Sequence, residues 1–230
     1  MAETKIKRAP GRGRFITFEG GEGAGKSTQI KKLAERLEAS GLRTLITREP
    51  GGSPGAEIIR HLVLSGMGRL LGPDAETLLF AAARDDHVRT VIQPALGQGT
   101  WVLCDRFSDS TLVYQGRLGR VAPALLNAMQ RVTIGDLKPD LTIILDVPVE
   151  VGLKRAAARR GTAAPDRFES EDIQFHRELR DGYREIAAAD PGRCVLIDAT
   201  GDANAVASNI WTIVRERFSK AAAPSVVSPA

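Results

Sequence analysis

The sequence predicts an α/β fold: a mostly parallel five-stranded sheet with helices on both faces. Three observations point there. Short apolar runs of strand length alternate along the chain with segments whose apolar residues recur at helical spacing. Several of these runs end in glycine or in charged residues, where open parallel sheets bind ligands. At 230 residues the chain suits one domain, able to bury roughly 70–75% of its unfolded surface without disulfides or structural metal.

The elements follow in order. Arg14 to Glu19 (RFITFE) is the first strand. Lys26 to Ser40 carries Ile30, Leu33 and Leu37 on one helical face, and Gly41 ends that helix. Leu42 to Arg48 is the second strand, closed by the turn EPGGSPG. Ala56 to Ser65 and Asp74 to Gln93 read as helices, and Thr100 to Asp105 (TWVLCD) as the third strand. Leu141 to Val147 is the fourth strand, Val149 to Arg160 a helix and Cys194 to Asp198 the fifth strand. A final helix covers about Ala203 to Phe218. Residues 14–218 form the expected domain. Residues 1–13 read as a disordered basic leader and 219–230 as a disordered tail.

Composition is that of an ordinary globular protein, 43% hydrophobic and 26% charged. No apolar run reaches the roughly 20 residues of a membrane span, and the N-terminus lacks the apolar stretch of a secretory signal. Cys104 and Cys194 fit no zinc or redox spacing and are expected as buried, reduced thiols. These features predict a soluble cytoplasmic protein with no membrane partner. The net charge of +4 resides in the first fourteen residues, where Lys5, Lys7, Arg8, Arg12 and Arg14 face only Glu3. The remaining chain is neutral overall, so no nucleic-acid footprint is expected on the folded body.

After the first strand comes GGEGAGKS, the pattern glycine, any four, glycine, lysine, serine. Glycines let successive N–H groups turn toward phosphate oxygens, and the following helix adds its dipole. Composition predicts roughly 0.01 chance matches in a chain of this length. Gly20, Gly21, Glu22, Gly23, Ala24, Gly25, Lys26, Ser27 and Thr28 are therefore the expected nucleoside-triphosphate loop. Lys26 supplies charge to the β and γ phosphates and Ser27 an oxygen for Mg²⁺. A guanine-reading Asn-Lys-x-Asp element is absent from the sequence, and the compact chain suggests a small-molecule kinase.

The acceptor side is read from the other strand ends. The second strand ends in TREPGG, whose Pro50 keeps Glu49 extended. The third ends in Asp105-Arg106-Phe107. The aspartate is placed to hold Mg²⁺ or its water shell, and the arginine to grip a phosphate. Phe80 and Arg84, at i and i+4, share one helix face and together offer a ring and a guanidinium to a base. Taken singly, Phe80 also fits a core position. The histidines His61, His87 and His176 show no partners and read as helix-surface residues. Asp146 and Asp198 read as structural or loop-capping.

In this order GGEGAGKST, TREPGG, LLFAAARDDH, DRFSDSTLVYQG and PDLTIILDVPVEVGLKR resemble the bacterial thymidylate kinase family, over about residues 14 to 218. The resemblance implies a P-loop nucleoside-monophosphate-kinase fold, a homodimer, and transfer of phosphoryl from ATP to dTMP with Mg²⁺. It implies that Phe80 stacks on thymine, that Arg84 reads the base edge, and that Ser110, Thr111 and Gln115 line the base and sugar pocket. Tyr114 would crowd the 2′ position and Glu49 would meet the 3′-hydroxyl, with Glu22 nearby. Arg106 would hold the acceptor phosphate, with Arg48 and Arg60 as further candidates. The lid, about residues 154–169, departs from some family members in a slightly extended GTAAPDRFE.

Some members of that family carry a basic residue within the loop, whereas this chain has Glu22. Cationic help is therefore expected from the lid: Arg155 and Arg159 share a helix face, and Arg160 and Arg167 flank the turn from Gly161 to Pro165. No strong general base is expected, since the acceptor phosphate is mostly dianionic at neutral pH. Three alternatives stay open: another nucleoside monophosphate or deoxynucleoside kinase, an NTP-binding module without acceptor chemistry, and a nucleic-acid-associated ATPase using the leader.

Overall fold

The computed structural model describes residues 12–162 and 164–219. Strands β1 (Phe15–Gly20), β2 (Thr44–Arg48), β3 (Trp101–Asp105), β4 (Leu141–Asp146) and β5 (Cys194–Asp198) form one sheet. Their order is β2-β3-β1-β4-β5, with every pairing parallel. All five strand expectations are found, the fifth with its expected bounds and the others with one or both ends moved by one or two residues. Parallel pairing requires crossover helices, which cover both faces and bury the central strands on both sides. β1 accordingly is buried over its whole length.

On one face, α1 (Lys26–Ala39) and α9 (Ala203–Ser219) bury Ile30, Leu33, Leu37, Val206, Ile210 and Val214 against Ile16, Phe18, Leu103 and Ile143 of the sheet. On the other face lies α3 (Pro73–His87), continued through a π-helical stretch, Val88–Ile92, into α4 (Gln93–Gly97). There Val88, Ile92 and Leu96 pack on Phe15, Val102 and Phe107. The helix expected from Asp74 to Gln93 thus runs four residues further. α2 (Pro54–Leu64) starts with proline in its first turn, as helices permit.

Three helical segments were not legible in the sequence. α5 (Ser108–Thr111) passes into a π-helical stretch, Leu112–Leu118, directly after the DRF run. α6 (Pro123–Thr133) follows, and α8 (Ile173–Ala189) crosses behind the phosphate loop. α8 is capped by Asp172, whose carboxylate accepts from the Phe175 N–H at 2.7 Å. Its buried positions are His176, Leu179, Gly182 and Tyr183, so only two ordinary apolar residues mark the buried stripe. α7 (Val149–Arg160) matches its expected span.

At the ends of the chain, residues 1–11 of the expected leader and 220–230 of the expected tail lie outside the described residues, as does Ala163 of the lid. Gly13, placed in the leader, is instead buried and donates its N–H to the Leu96 carbonyl at 2.7 Å. Ser219 belongs to α9.

Candidate active site

The carboxyl ends of β1, β2 and β3 open into one cleft of about 330 Å³. Chain order dictates this: β1 sits centrally and its neighbours β3 and β4 return from opposite sides, leaving the crevice where connections diverge. The phosphate loop forms one end. Gly23 (φ +66°) and Gly25 (φ +93°) adopt backbone angles that favour glycine. Lys26 Nζ donates to the Gly20 and Gly21 carbonyls at 3.1 and 3.0 Å, arching over the loop. Burial lowers the Lys26 pKa, and Arg106 adds to this against the pull of Asp105, Glu22 and Glu19. Ser27 Oγ donates to Asp105 Oδ2 at 2.9 Å, so the helix start and the β3 end meet at the mouth of the loop.

A second support for the loop was missed. Helix α7 lies so close that a Cβ on Gly23 would stand 1.9 Å from the Gly152 carbonyl oxygen, and one on Gly152 would stand 2.4 Å from the Glu22 carbonyl oxygen. Neither contact is possible without moving backbone. We expect Gly152→Ala to displace the phosphate loop and lower kcat/KM for ATP by about 10²-fold, the cost of a misplacement near 1 Å. Steady-state kinetics with varied ATP checks this; a variant with normal ATP kinetics contradicts the packing argument.

The other end of the cleft carries Phe80 and Arg84 of α3, both nearly buried. Arg84 Nε donates to Glu49 Oε2 at 2.7 Å, and Nη2 to the Phe107 carbonyl at 3.3 Å. Glu49 is held from a second side by His87 Nδ1 at 3.1 Å, while His87 Nε2 meets Thr47 Oγ1 at 2.6 Å. His87 is therefore not a surface residue: it is fully buried as the anchor of Glu49. His176 is buried as well, with Nε2 lacking a partner, whereas His61 is exposed as expected. Two polar neighbours, one of them in β2, draw the His87 ring inward, which sequence spacing does not reveal.

Ser110, Thr111, Tyr114 and Gln115 line the cleft between its two ends. Arg106 lies among them at φ +69°, a strained angle for a residue with a Cβ. Its guanidinium donates to Glu22 Oε1 at 2.6 Å, to Tyr183 Oη at 2.9 Å and to the Gly20 carbonyl at 3.1 Å, and it lies over the Tyr114 ring. Burial works against the Glu22 carboxylate, but Arg106, Lys26, Arg159 and His176 outweigh it and bring its pKa down to about 2. Glu22 is thus an anion that fixes Arg106 beside the loop. Tyr183 was missed because a lone tyrosine on a charged helix carries no motif.

Arg48 and Arg60 also line the cleft, Arg48 paired with Glu57 at 2.8 Å and Arg60 donating to the Pro50 carbonyl. Thr28, Gly20 and Gly21 do not line it. Of the lid arginines, Arg159 reaches the cleft and faces Glu169 at 3.4 Å. Arg160 pairs with Glu169 at 2.6 Å, and Arg167 with Glu76 of α3. The expectation that Arg155 acts with Arg159 is not met by the geometry. Arg155 lies off the cleft and donates to the Ala199 and Thr200 carbonyls, both at 2.9 Å, because the bend after β5 presents those oxygens beside α7. The lid instead brings Phe168 into the cleft, edge-on to Tyr114 with centroids 5.1 Å apart.

Elsewhere, Asp146 is structural, bonded through both oxygens to Arg180 at 2.6 and 2.9 Å, and Asp198 caps a turn at Thr200. Cys104 and Cys194 are buried and free.

Comparison with known proteins agrees with this geometry. The thymidylate kinase family profile matches residues 18–210. Thymidylate kinase of Bradyrhizobium sp. strain ORS 278 is 74% identical over 223 residues, covering 97% of this chain and 99% of that protein. Thymidylate kinase of Nitrobacter winogradskyi is 72% identical over 230 residues, the full length of both. The crystal structure of thymidylate kinase from Ehrlichia chaffeensis superposes with a TM-score of 0.71 at 34% identity, covering 90% of this chain and 99% of that one. With the phosphate loop, the buried Phe80–Arg84 wall and Arg106 between them in a five-stranded parallel sheet, the chain belongs to the thymidylate kinase family.

Proposed function

We propose that the cleft binds ATP at the loop end and dTMP at the Phe80–Arg84 end, and moves the γ-phosphoryl between them with Mg²⁺. The chain phosphorylates dTMP to dTDP at the expense of ATP, a step toward dTTP. The observation that carries the site reading is the position of Arg106, between the loop and the base wall and within hydrogen-bond reach of Glu22.

In this reading Phe80 stacks on thymine and Arg84 reads its edge, with Glu49 held ready for the 3′-hydroxyl. Thr111 and Gln115 line the sugar, and Tyr114 crowds the 2′ position. Arg106 holds the acceptor phosphate and aligns it with the γ-phosphoryl group, while Lys26 neutralises charge on the transferring oxygens. The acceptor is already a dianion, so none of these residues needs to remove a proton.

Mg²⁺ fits the residues present. Ser27 Oγ and Asp105 Oδ2, both hard oxygen donors, lie 2.9 Å apart beside the loop. Among the described residues no group of three or more His, Cys, Asp and Glu side chains gathers as a metal cage, which suits an ion held chiefly by phosphates. When bound, the ion supplies positive charge to the β and γ phosphate oxygens. Activity is expected to vanish with a chelator and return with Mg²⁺, and Asp105→Asn should raise the Mg²⁺ concentration needed by about tenfold or more. An unchanged Mg²⁺ titration in that variant would remove Asp105 from the reading.

A homodimer and a cytoplasmic location complete the proposal. Leu78 on α3 and Val132 on α6 are large, exposed apolar side chains of the kind a second copy covers. No helix among the described residues is long and apolar enough to cross a membrane. Neither ATP nor dTMP binding calls on a nucleic-acid partner. Light scattering across a dilution series tests the dimer.

A further inference from the structure

Behind Arg106 runs a chain of hydrogen bonds that the reaction scheme above does not use. Arg106 Nη1 donates to Tyr183 Oη at 2.9 Å, Tyr183 Oη and Ser110 Oγ lie 2.7 Å apart, and Ser110 Oγ donates to Glu19 Oε2 at 2.7 Å. Glu19 Oε1 accepts from the Phe107 N–H at 2.8 Å. Glu19 is fully buried at the end of β1, and Tyr183 is 1% exposed on α8. Proton positions along this chain follow from valence. The Ser110 proton is committed to Glu19, so Ser110 accepts from Tyr183. Tyr183 in turn offers its lone pairs to Arg106, which can only donate. We propose that Glu19, acting through Ser110 and Tyr183, is a positioning residue for the phosphate-gripping guanidinium of Arg106.

This deepens the reading above and rests on Arg106 being the acceptor-phosphate residue. It answers a difficulty in that reading. Arg106 sits at a strained backbone angle, and its Nη2 is bound by Glu22 on the cleft side. An arriving phosphate competes with Glu22 for the same guanidinium. A hold on Nη1 from the interior keeps the group in place while the cleft side is exchanged, and Tyr183, the Gly20 carbonyl and, at 3.5 Å, Ser110 Oγ provide that hold. Polarisation along the chain passes the Glu19 charge toward Arg106 from outside the cleft lining.

The relay supports Arg106 in one direction only. A protonated Glu19 must donate to Ser110, Ser110 then donates to Tyr183, and the Tyr183 proton turns toward the Arg106 N–H, which can only donate in return. The groups facing Glu19 are Asp109 of α5, Arg106 after β3, Lys26 of α1, and Tyr114 and Tyr183, with the Cys104 and Cys194 thiols beyond. Asp109 is itself paired with Arg193 at 2.6 Å. Burial, with Asp109 adding to it, raises Glu19 to about 7, against the opposing pull of Arg106 and the bonds from Ser110 and Phe107.

The test is Tyr183→Phe, which removes one oxygen and keeps the ring in its packing, beside Glu19→Gln and Arg106→Ala. For the wild type, log kcat/KM for dTMP should fall in two steps on acidification: about tenfold as Glu19 takes a proton near pH 7, then with a slope of one as the acceptor phosphate takes one below about pH 6. Tyr183→Phe should lower kcat/KM for dTMP about tenfold or more at pH 8, with the KM for ATP little changed, and should remove the step that belongs to Glu19. Glu19→Gln, whose amide donates to Ser110 and reverses the chain, should do the same at every pH. Thermal melting separates folding loss from kinetic loss. If Arg106→Ala impairs dTMP use while Tyr183→Phe keeps wild-type kinetics and both acid steps, the relay is wrong and the site reading stands. If Arg106→Ala is itself without effect, the site reading fails first.

Discussion

Lys26→Met is expected to lower kcat by about 10³-fold, the scale of losing a preorganised cation from a phosphoryl-transfer site. The structure explains why the loss is so large. Lys26 is buried at the loop, and its ammonium is held by the Gly20 and Gly21 carbonyls. Removing it takes away a positive charge that water does not readily replace, opposite two carboxylates, Glu22 and Asp105, that stay behind. Methionine keeps the length and the apolar stem, so the helix start should survive. Single-turnover transfer with saturating ATP and dTMP measures the chemical step directly. A kcat within about threefold of wild type would show that Lys26 does not act on the transferring group.

Arg106→Ala should lower kcat/KM for dTMP by about 10²–10³-fold, more than one charge-assisted hydrogen bond accounts for. The excess comes from Glu22, whose pKa of about 2 depends on Arg106 as its leading counter-charge. Without that arginine an anion faces the incoming phosphate dianion, and repulsion adds to the lost bond. The double variant Arg106→Ala with Glu22→Ala should therefore recover part of the loss, a non-additivity expected of paired groups. If the double variant is no better than the single one, Glu22 is not the source of the extra effect. ATP affinity measured without dTMP should move much less, since Lys26 and the loop remain.

How far the sequence spoke depended on how local each signal was. The phosphate loop was legible because its glycine angles, lysine and serine lie within eight consecutive residues. Phe80 and Arg84 were legible because helical spacing alone puts them on one face. The strands were readable as apolar runs, since central parallel strands are buried on both sides. What stayed hidden depended on distant partners. His87 looked like a surface residue until Thr47 and Glu49 were brought to its ring from β2 and the turn after it. Tyr183 and the whole of α8 were hidden because charged residues dilute the buried stripe. Arg155 was assigned to the site from helix periodicity, which fixes a face and not the neighbour that occupies it. That neighbour is the pair of carbonyls after β5. Gly152 was hidden because a mid-helix glycine declares nothing until the phosphate loop lies against it.

In the proposed reading, one cleft couples the ATP loop to a wall shaped for thymine. The most direct test is ADP formation across a panel of nucleoside monophosphates at equal concentration with ATP and Mg²⁺. dTMP is expected to give the highest kcat/KM. AMP and GMP should fall below it by about 10² or more, because a purine brings a second ring into a pocket that Phe80, Arg84 and Thr111 would form for a pyrimidine. AMP or GMP matching or exceeding dTMP would contradict the account, as would ADP formation independent of any acceptor.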